Sequence, residues 1–480
     1  MITAARGPLL ALSCAALVPA AALAGLALYA RDKAQPAKVA VAPATVPQQL
    51  PAPLASPLLS VRRAPAALAA DRRADLLASS VAPLAASIDG SSCLAVGFDD
   101  RSLVVRNPDL AVIPASNLKI ITAAVAIDVL GPGFTYTTTV VGPAPVNGVI
   151  DGDVFLVGGG DPVLSEQWYT QQSTSRKRPP THTTSVEALA DAMVAAGVTQ
   201  ITGRVLGDGS RYDDERYPPG WADDIRVSFD GGAIGALVIN DSRSPSDAQS
   251  SNPSSSAAAA FLGLLDQRGI AVAGGSGDGA APVGASVLAG VQSAPLSEIV
   301  NELLATSDNL TAEMMVKEIG LAVAQRGSRP DGLQAMLDRL VSWGVPTAGV
   351  RLTDGSGLSY DNQLTCAALA GVLQRGSATD AVGAGLARAG QDGSTLADSF
   401  EQQGLAGVLQ GKTGTLHNPY EVKSLGGYYV VAGSEVGFVL ILNGPAALDY
   451  ASAWEQLGAA LLAAGAGPSA EALAPLSSVS

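Results

Sequence analysis

Three short clusters hold residue types that can break an amide or ester bond. Ser116-Asn117-Leu118-Lys119 sets a hydroxyl and an amine three positions apart, and Ser307-Asp308-Asn309 adds a hydroxyl and a carboxamide. Lys412-Thr413-Gly414-Thr415 adds a cation, two hydroxyls and a residue without a side chain. Positions three apart at a helix start share a face, which puts the Ser116 hydroxyl and the Lys119 amine within reach of each other. A serine hydroxyl is a weak nucleophile until a neighbouring base takes its proton. The only histidines are His182, in a basic polar loop, and His417, in the turn after Thr415; solvation, not catalysis, is expected of both. Lys119 is therefore the candidate base. Ser307 can hand a proton between a lysine and a leaving amine, while Asn309 offers a peptide both donor and acceptor. Lys412 and Thr413 suit a terminal carboxylate, and Gly414 lets a substrate backbone lie against its strand. The N–H groups of Ser116, at a helix start, and of Thr415 can stabilise an oxyanion. Taken singly, the clusters read as a helix cap followed by a surface lysine, a turn and a strand end. No Cys/His metal spacing occurs, so neither metal nor cofactor is expected.

Helices and strands must bring these clusters together. Helical periodicity covers 69–88, and two short strands, 93–98 and 103–106, flank the turn residues Asp99 and Asp100. An apolar helix from Ser116 to Leu130 closes at Gly131-Pro132-Gly133. From 141 to 290 the texture changes to short strands with turns such as Asn147-Gly148, one helix over 186–196, and a Ser-rich low-complexity stretch over 242–256. Helical patterns return at 296–305 and 311–325, followed by strands at 407–416, 423–431 and 435–442 and a last amphipathic helix over 447–464. The pattern implies an α+β fold, a helical cluster and an antiparallel sheet built from 69–140 and 291–468, with an inserted, mainly β accessory domain over 141–290 and a tail at 469–480.

At 480 residues the chain exceeds what one hydrophobic core usually organises. A net charge of −14 argues against nucleic acid, and the one dense basic cluster, Arg176-Lys177-Arg178, reads as a solvated loop. From Gly7 to Ala30 the sequence is apolar and uncharged between Arg6 and Arg31, the pattern of an export signal or membrane anchor. Ala22-Leu23-Ala24 permits cleavage, but the run is long enough to span a bilayer, and an uncleaved anchor is the preferred reading. Residues 31–68, with Pro36, Pro43, Pro47, Pro51, Pro53 and Pro57, read as an extended tether. The rest is expected to work outside the cytoplasm. That compartment permits a disulfide between Cys93 and Cys366, although spacing alone does not imply one.

In order and on these elements, the three clusters resemble the signature of penicillin-interacting serine enzymes. With Leu130-Gly131-Pro132-Gly133-Phe134, Gly158-Gly159-Gly160-Asp161-Pro162, Ser307 to Glu313 and Asp354-Gly355-Ser356-Gly357-Leu358-Ser359, the chain from 90 to 445 resembles the D-Ala-D-Ala carboxypeptidase/endopeptidase family, the class C low-molecular-mass penicillin-binding proteins. The resemblance implies a penicillin-recognising, β-lactamase-like fold, acyl-enzyme chemistry on peptidoglycan stem peptides, and inhibition by β-lactams. It makes Ser116, Lys119 and Ser307 catalytic and Asn309, Lys412, Thr413, Gly414 and Thr415 substrate-binding. The interval from Ser116 to Ser307 is short beside the best-known members, which implies that one accessory domain is reduced. No glutamate lies between Glu318 and Glu401 to serve deacylation as in class A β-lactamases, so a slowly hydrolysed penicilloyl adduct is expected. A β-lactamase or esterase of the same fold, or a silent wall-binding protein, are the alternative readings.

Overall fold

Apolar runs from opposite ends of the sequence become neighbours in one sheet. The computed structural model describes Leu26, Leu28, Tyr29 and residues 64–171, 180–228, 231–246, 248–401 and 403–474. Helix α1 (Pro65–Ser87) starts on a proline, whose missing N–H costs nothing at a first helical position. Strands β1 (Cys93–Phe98) and β2 (Arg101–Arg106) follow, joined at Asp99 with φ +51°, a conformation that aspartate tolerates. Helix α2 (Leu118–Leu130) is mostly apolar and is buried along most of its length.

The chain then leaves this region and returns beside itself. The stretch from 137 to 292 contains β3 (Thr137–Gly142), β4 (Val154–Val157), α3 (Glu187–Ala195), β5 (Val205–Asp208), α4 (Pro253–Gln267), β6 (Ser276–Asp278) and β7 (Ser286–Gln292). Its sheet has the order β6-β5-β4-β3-β7, and β3 pairs antiparallel with β7 from Thr137↔Gln292 to Gly142↔Ser286. A separate core, with Val140, Leu156, Leu189, Met193, Val205, Phe261 and Leu265, fills the space under this sheet. Helix α4 begins inside the stretch expected to be low-complexity. Asn252 accepts from Ser255 N–H, Pro253 takes the first helical position, and Ala257, Phe261, Leu264 and Leu265 make a buried stripe. The serines are its first turn.

Helices α5 (Leu296–Thr306), α6 (Asn309–Ala324), α7 (Arg329–Ser342) and α8 (Cys366–Arg375) come next, the last two absent from the sequence reading. Strands β8 (Ala387–Arg388), β9 (Leu409–Leu416), β10 (Val422–Val431) and β11 (Ser434–Asn443) and helix α9 (Tyr450–Gly465) complete the fold. The six-stranded sheet, β8-β9-β10-β11-β1-β2, is antiparallel throughout, in keeping with the α+β expectation. Side-chain alternation gives it two buried faces. Cys93, Ala95, Val439 and Ile441 pack against α2 and α5–α8, while Leu94, Val96, Phe438 and Leu440 pack against α1 and α9. Cys93 and Cys366 form a disulfide, tying β1 to the start of α8 with Cα atoms 5.9 Å apart.

The export segment expected over 7–30 lies outside the described residues apart from Leu26, Leu28 and Tyr29, which are helical and exposed, and so does the tether up to residue 63. The basic cluster at 176–178 also lies outside them. Among the described residues no helix is long and apolar enough to cross a membrane.

Candidate active site

Ser116 sits in a single 3-10 turn, Ala115–Asn117, that feeds α2. The turn is clamped from two sides. Asn117, fully buried, donates from Nδ2 to Ser424 Oγ of β10 (2.5 Å), and that hydroxyl donates to Pro114 O (2.7 Å). Gly414 of β9 lies against the same turn: a Cβ there would come within 2.9 Å of Ser116 N and 2.2 Å of Ser424 Oγ. From the other side, a Cβ on Gly357 would meet Ala115 O at 2.0 Å, and the glycine has φ +83°. Two glycines thus let strand and loop close on the serine.

Lys119, the second residue of α2, has no exposed surface. Burying an amine among apolar groups costs several kcal/mol unless oxygens surround it. Here Nζ lies 2.9 Å from Ser116 Oγ, 2.6 Å from Asn309 Oδ1 and 2.6 Å from the main-chain oxygen of Ser356. The surface-lysine alternative is therefore excluded by its surroundings.

The Ser307-Asp308-Asn309 cluster is a corner between two helices. Ser307 ends α5 in the left-handed region (φ +68°, ψ +39°), and Asp308 caps α6 by accepting from Thr311 N–H at 2.9 Å. Capping and site-building coincide: the corner turns Ser307 into the cleft while Asn309 reaches Lys119. On β9, Thr413 and Thr415 face the same cleft, about 720 Å³ in volume, together with Ser116, Ser307, Asn309, Leu358 and Tyr360. Lys412 is fully buried behind that wall, its Nζ donating to Thr413 O at 2.8 Å. Lys412 is therefore not itself among the residues that line the cleft. Lys423 of β10 donates to Thr415 Oγ1 (3.0 Å) and lies over the Tyr450 ring, and burial pushes its amine below the usual lysine range.

The loop 354–359 and Glu313 carry no recognisable chemistry in the sequence. Glu313, buried on α6, accepts from Ser356 N–H (2.8 Å) and Gly355 N–H (3.0 Å). Burial and then the neighbouring Asp354 push its carboxyl up to about 7. Asp354, also buried, accepts from Gly357 N–H (2.8 Å), Ser359 N–H (2.7 Å), Asn362 Nδ2 (2.7 Å) and the Trp221 indole N–H (3.0 Å). The one visible signal was the run Asp354-Gly355-Ser356-Gly357 itself. The histidines differ from one another. His182 is not a solvated loop residue: its ring lies 3.3 Å from Glu302 and 3.4 Å from Glu298, both on α5. His417 is largely exposed at the cleft rim, 2.7 Å from Glu421.

This geometry can be set beside known proteins. The D-alanyl-D-alanine carboxypeptidase of Actinomadura sp. (strain R39) is 30% identical over 426 residues, 72% of this chain and 76% of that protein. Carboxypeptidase Rv3627c of Mycobacterium tuberculosis is 32% identical over 345 residues, 66% of this chain and 68% of that protein. The fold is similar to the crystal structure of penicillin binding protein 4 (dacB) from Haemophilus influenzae, with a TM-score of 0.65 at 20% identity over 80% of this chain and 98% of that one. Because its sequence matches the D-Ala-D-Ala carboxypeptidase 3 (S13) family over residues 95–245 and 233–463, a span that takes in all three clusters, the chain belongs to that family of peptidases.

Proposed function

We propose that the chain cleaves D-Ala-D-Ala-containing peptidoglycan stem peptides, as a serine-type carboxypeptidase/endopeptidase, through an acyl-enzyme on Ser116. One observation carries the reading: the Lys119 amine lies 2.9 Å from the Ser116 hydroxyl while two further oxygens fix its direction. As a neutral amine, Nζ donates to Asn309 Oδ1 and Ser356 O and turns its lone pair to the Ser116 O–H. Ser116 Oγ then attacks the carbonyl of the penultimate D-alanine, and its proton passes to Lys119. The carbonyl oxygen gains charge beside the N–H groups of Ser116 and Thr415. The C–N bond breaks, and Ser307 relays the proton from Lys119 to the leaving amine. Water next adds to the ester by the same base, releasing the shortened peptide as its acid and restoring Ser116. Thr413, with Lys412 behind it, holds the terminal carboxylate.

A β-lactam offers its ring amide to the same serine, and with no glutamate between Glu318 and Glu401 the adduct is hydrolysed slowly. Wall peptides lie outside the cytoplasmic membrane, the side to which an apolar segment over residues 7–30 directs a chain. Two preparations test the reading together. A labelled penicillin should acylate the purified wild type but not Ser116→Ala, and a membrane-impermeant form should label wild type on intact cells. Labelling of Ser116→Ala, or no D-alanine released from a D-Ala-D-Ala pentapeptide, would sink it.

A further inference from the structure

We propose that Glu313 is a positioning residue for the Lys119 base, acting through the main-chain oxygen of Ser356. The inference rests on the reading of Lys119 as the base and asks what aims that base. Of the oxygens around Nζ, Asn309 Oδ1 belongs to the first residue of α6, so its position is set by that helix. Ser356 O belongs to a loop, and a loop oxygen 2.6 Å from an amine needs something to hold it there. Glu313 supplies the hold on the two preceding peptide units, while Asp354 takes the N–H of Gly357, in the peptide unit that carries Ser356 O, at 2.8 Å. Glu313 lies four residues after Asn309 on α6, about one turn along the same face. Its carboxylate takes the N–H of Ser356 at 2.8 Å and that of Gly355 at 3.0 and 3.2 Å, through both oxygens. The peptide units on either side of Gly355 are thereby turned so that their N–H groups face α6.

The opposite side of the loop is fixed to α2. Thr122 Oγ1 donates to Gly355 O (2.8 Å), one turn beyond the contact of Lys119 with Ser356 O. Contact with α6 is close enough that a Cβ on Gly355 would meet Val316 Cγ2 at 2.3 Å. The loop is thus a spacer between two helices, and α6 sets both lysine acceptors: Asn309 directly, Ser356 O by way of Glu313. In its ionised form a carboxylate suits this task better than an amide, because both its oxygens accept and neither end presents a donor to the two N–H groups. The charged groups beside Glu313 are Asp354 on the loop and Arg329 on α7; neither touches Ser356 O, but Asp354 accepts from Gly357 N–H in the same peptide unit.

Glu313→Gln keeps volume and polarity but sets an NH2 against the loop N–H groups; Glu313→Asp keeps the charge on a shorter arm. In the full chain, each is titrated with a fluorescent penicillin for both the rate and the final stoichiometry of labelling. The expected result for Glu313→Gln is labelling that runs to wild-type stoichiometry at a rate lowered about 10- to 100-fold, the scale of a base displaced by a fraction of an ångström, with KM for the pentapeptide nearly unchanged. A residue that merely supported the fold would lower the labelled fraction and leave the rate per labelled molecule intact, and that outcome overturns the proposal. So does a wild-type rate in Glu313→Gln. Should that variant not fold, Glu313→Asp decides: slowed labelling at full stoichiometry supports the proposal, and unchanged labelling overturns it. Labelling of Ser116→Ala is a distinct failure, which removes the reading of the serine and its base and this proposal with it.

Discussion

Asp161, in the run Gly158-Gly159-Gly160-Asp161-Pro162, allows a stability effect to be worked out from burial alone. Its side chain is almost wholly inaccessible, and Oδ1 accepts from Val163 N–H at 3.0 Å. Burial pushes the carboxyl up to about 6, outweighing the hydrogen bonds that pull it down. That is about two units above an ordinary aspartate, and at 1.36 kcal/mol per unit it amounts to roughly 3 kcal/mol. The sign follows from proton binding. The folded chain holds this proton more tightly than the unfolded chain, so the contribution is fully present below about pH 4 and is lost as pH rises through about 6. Asp161→Asn keeps an oxygen for Val163 N–H and never ionises. Urea unfolding of both proteins at about pH 4 and about pH 7.5 should therefore show the variant gaining on wild type by roughly 2.5 kcal/mol over that interval, whatever its offset at the acid end. A difference that stays constant to within about 0.5 kcal/mol would mean that Asp161 is not held neutral by its surroundings, and the burial argument would fall.

Gly414→Ala should slow penicillin labelling at least about tenfold, because its methyl must displace the Ser424 hydroxyl or the Ser116 turn; an unchanged labelling rate would show that the turn can shift freely. Replacing Cys93 and Cys366 together by alanine opens a loop with a sequence separation of 273 and should lower the unfolding free energy by about 2–5 kcal/mol. An unaltered urea midpoint would count against a stabilising role for the disulfide.

Side chains with distinctive chemistry can be singled out from the sequence alone. Ser116, Lys119, Ser307, Asn309, Thr413 and Thr415 carry distinctive groups, and the helix, corner and strand that bear them follow from apolar periodicity and turn residues. Five strands of the antiparallel sheet were legible for a similar reason, since Cys93–Phe98 and Ser434–Asn443 carry apolar residues for both of its faces; the two-residue edge strand β8 was not. Helix α4 was not, because composition hid its cap: Asn252 and Pro253 start a helix, but the serines around them match a flexible segment just as well. His182 was misjudged because its two carboxylate neighbours come from α5, more than a hundred positions away.

The oxygen of Ser356 is a harder case. Any residue at position 356 would place a carbonyl there, so the group that faces Lys119 has no residue type by which to be recognised. What the loop does demand is the absence of side chains beside it. At Gly355 a Cβ would strike Val316, and at Gly357 it would strike the Ala115 carbonyl, with φ at +83° as well. Asp354 and Glu313 then take up four of the N–H groups in the segment, from Gly355, Ser356, Gly357 and Ser359. An acid, a glycine, a small residue that fits a buried position and a second glycine, with a glutamate on the facing helix, is therefore the sequence trace of a main-chain oxygen held against a lysine. The informative positions are the two glycines and not the serine between them. Ser356→Ala, which leaves the carbonyl in place, should disturb Lys119 far less than alanine at either glycine.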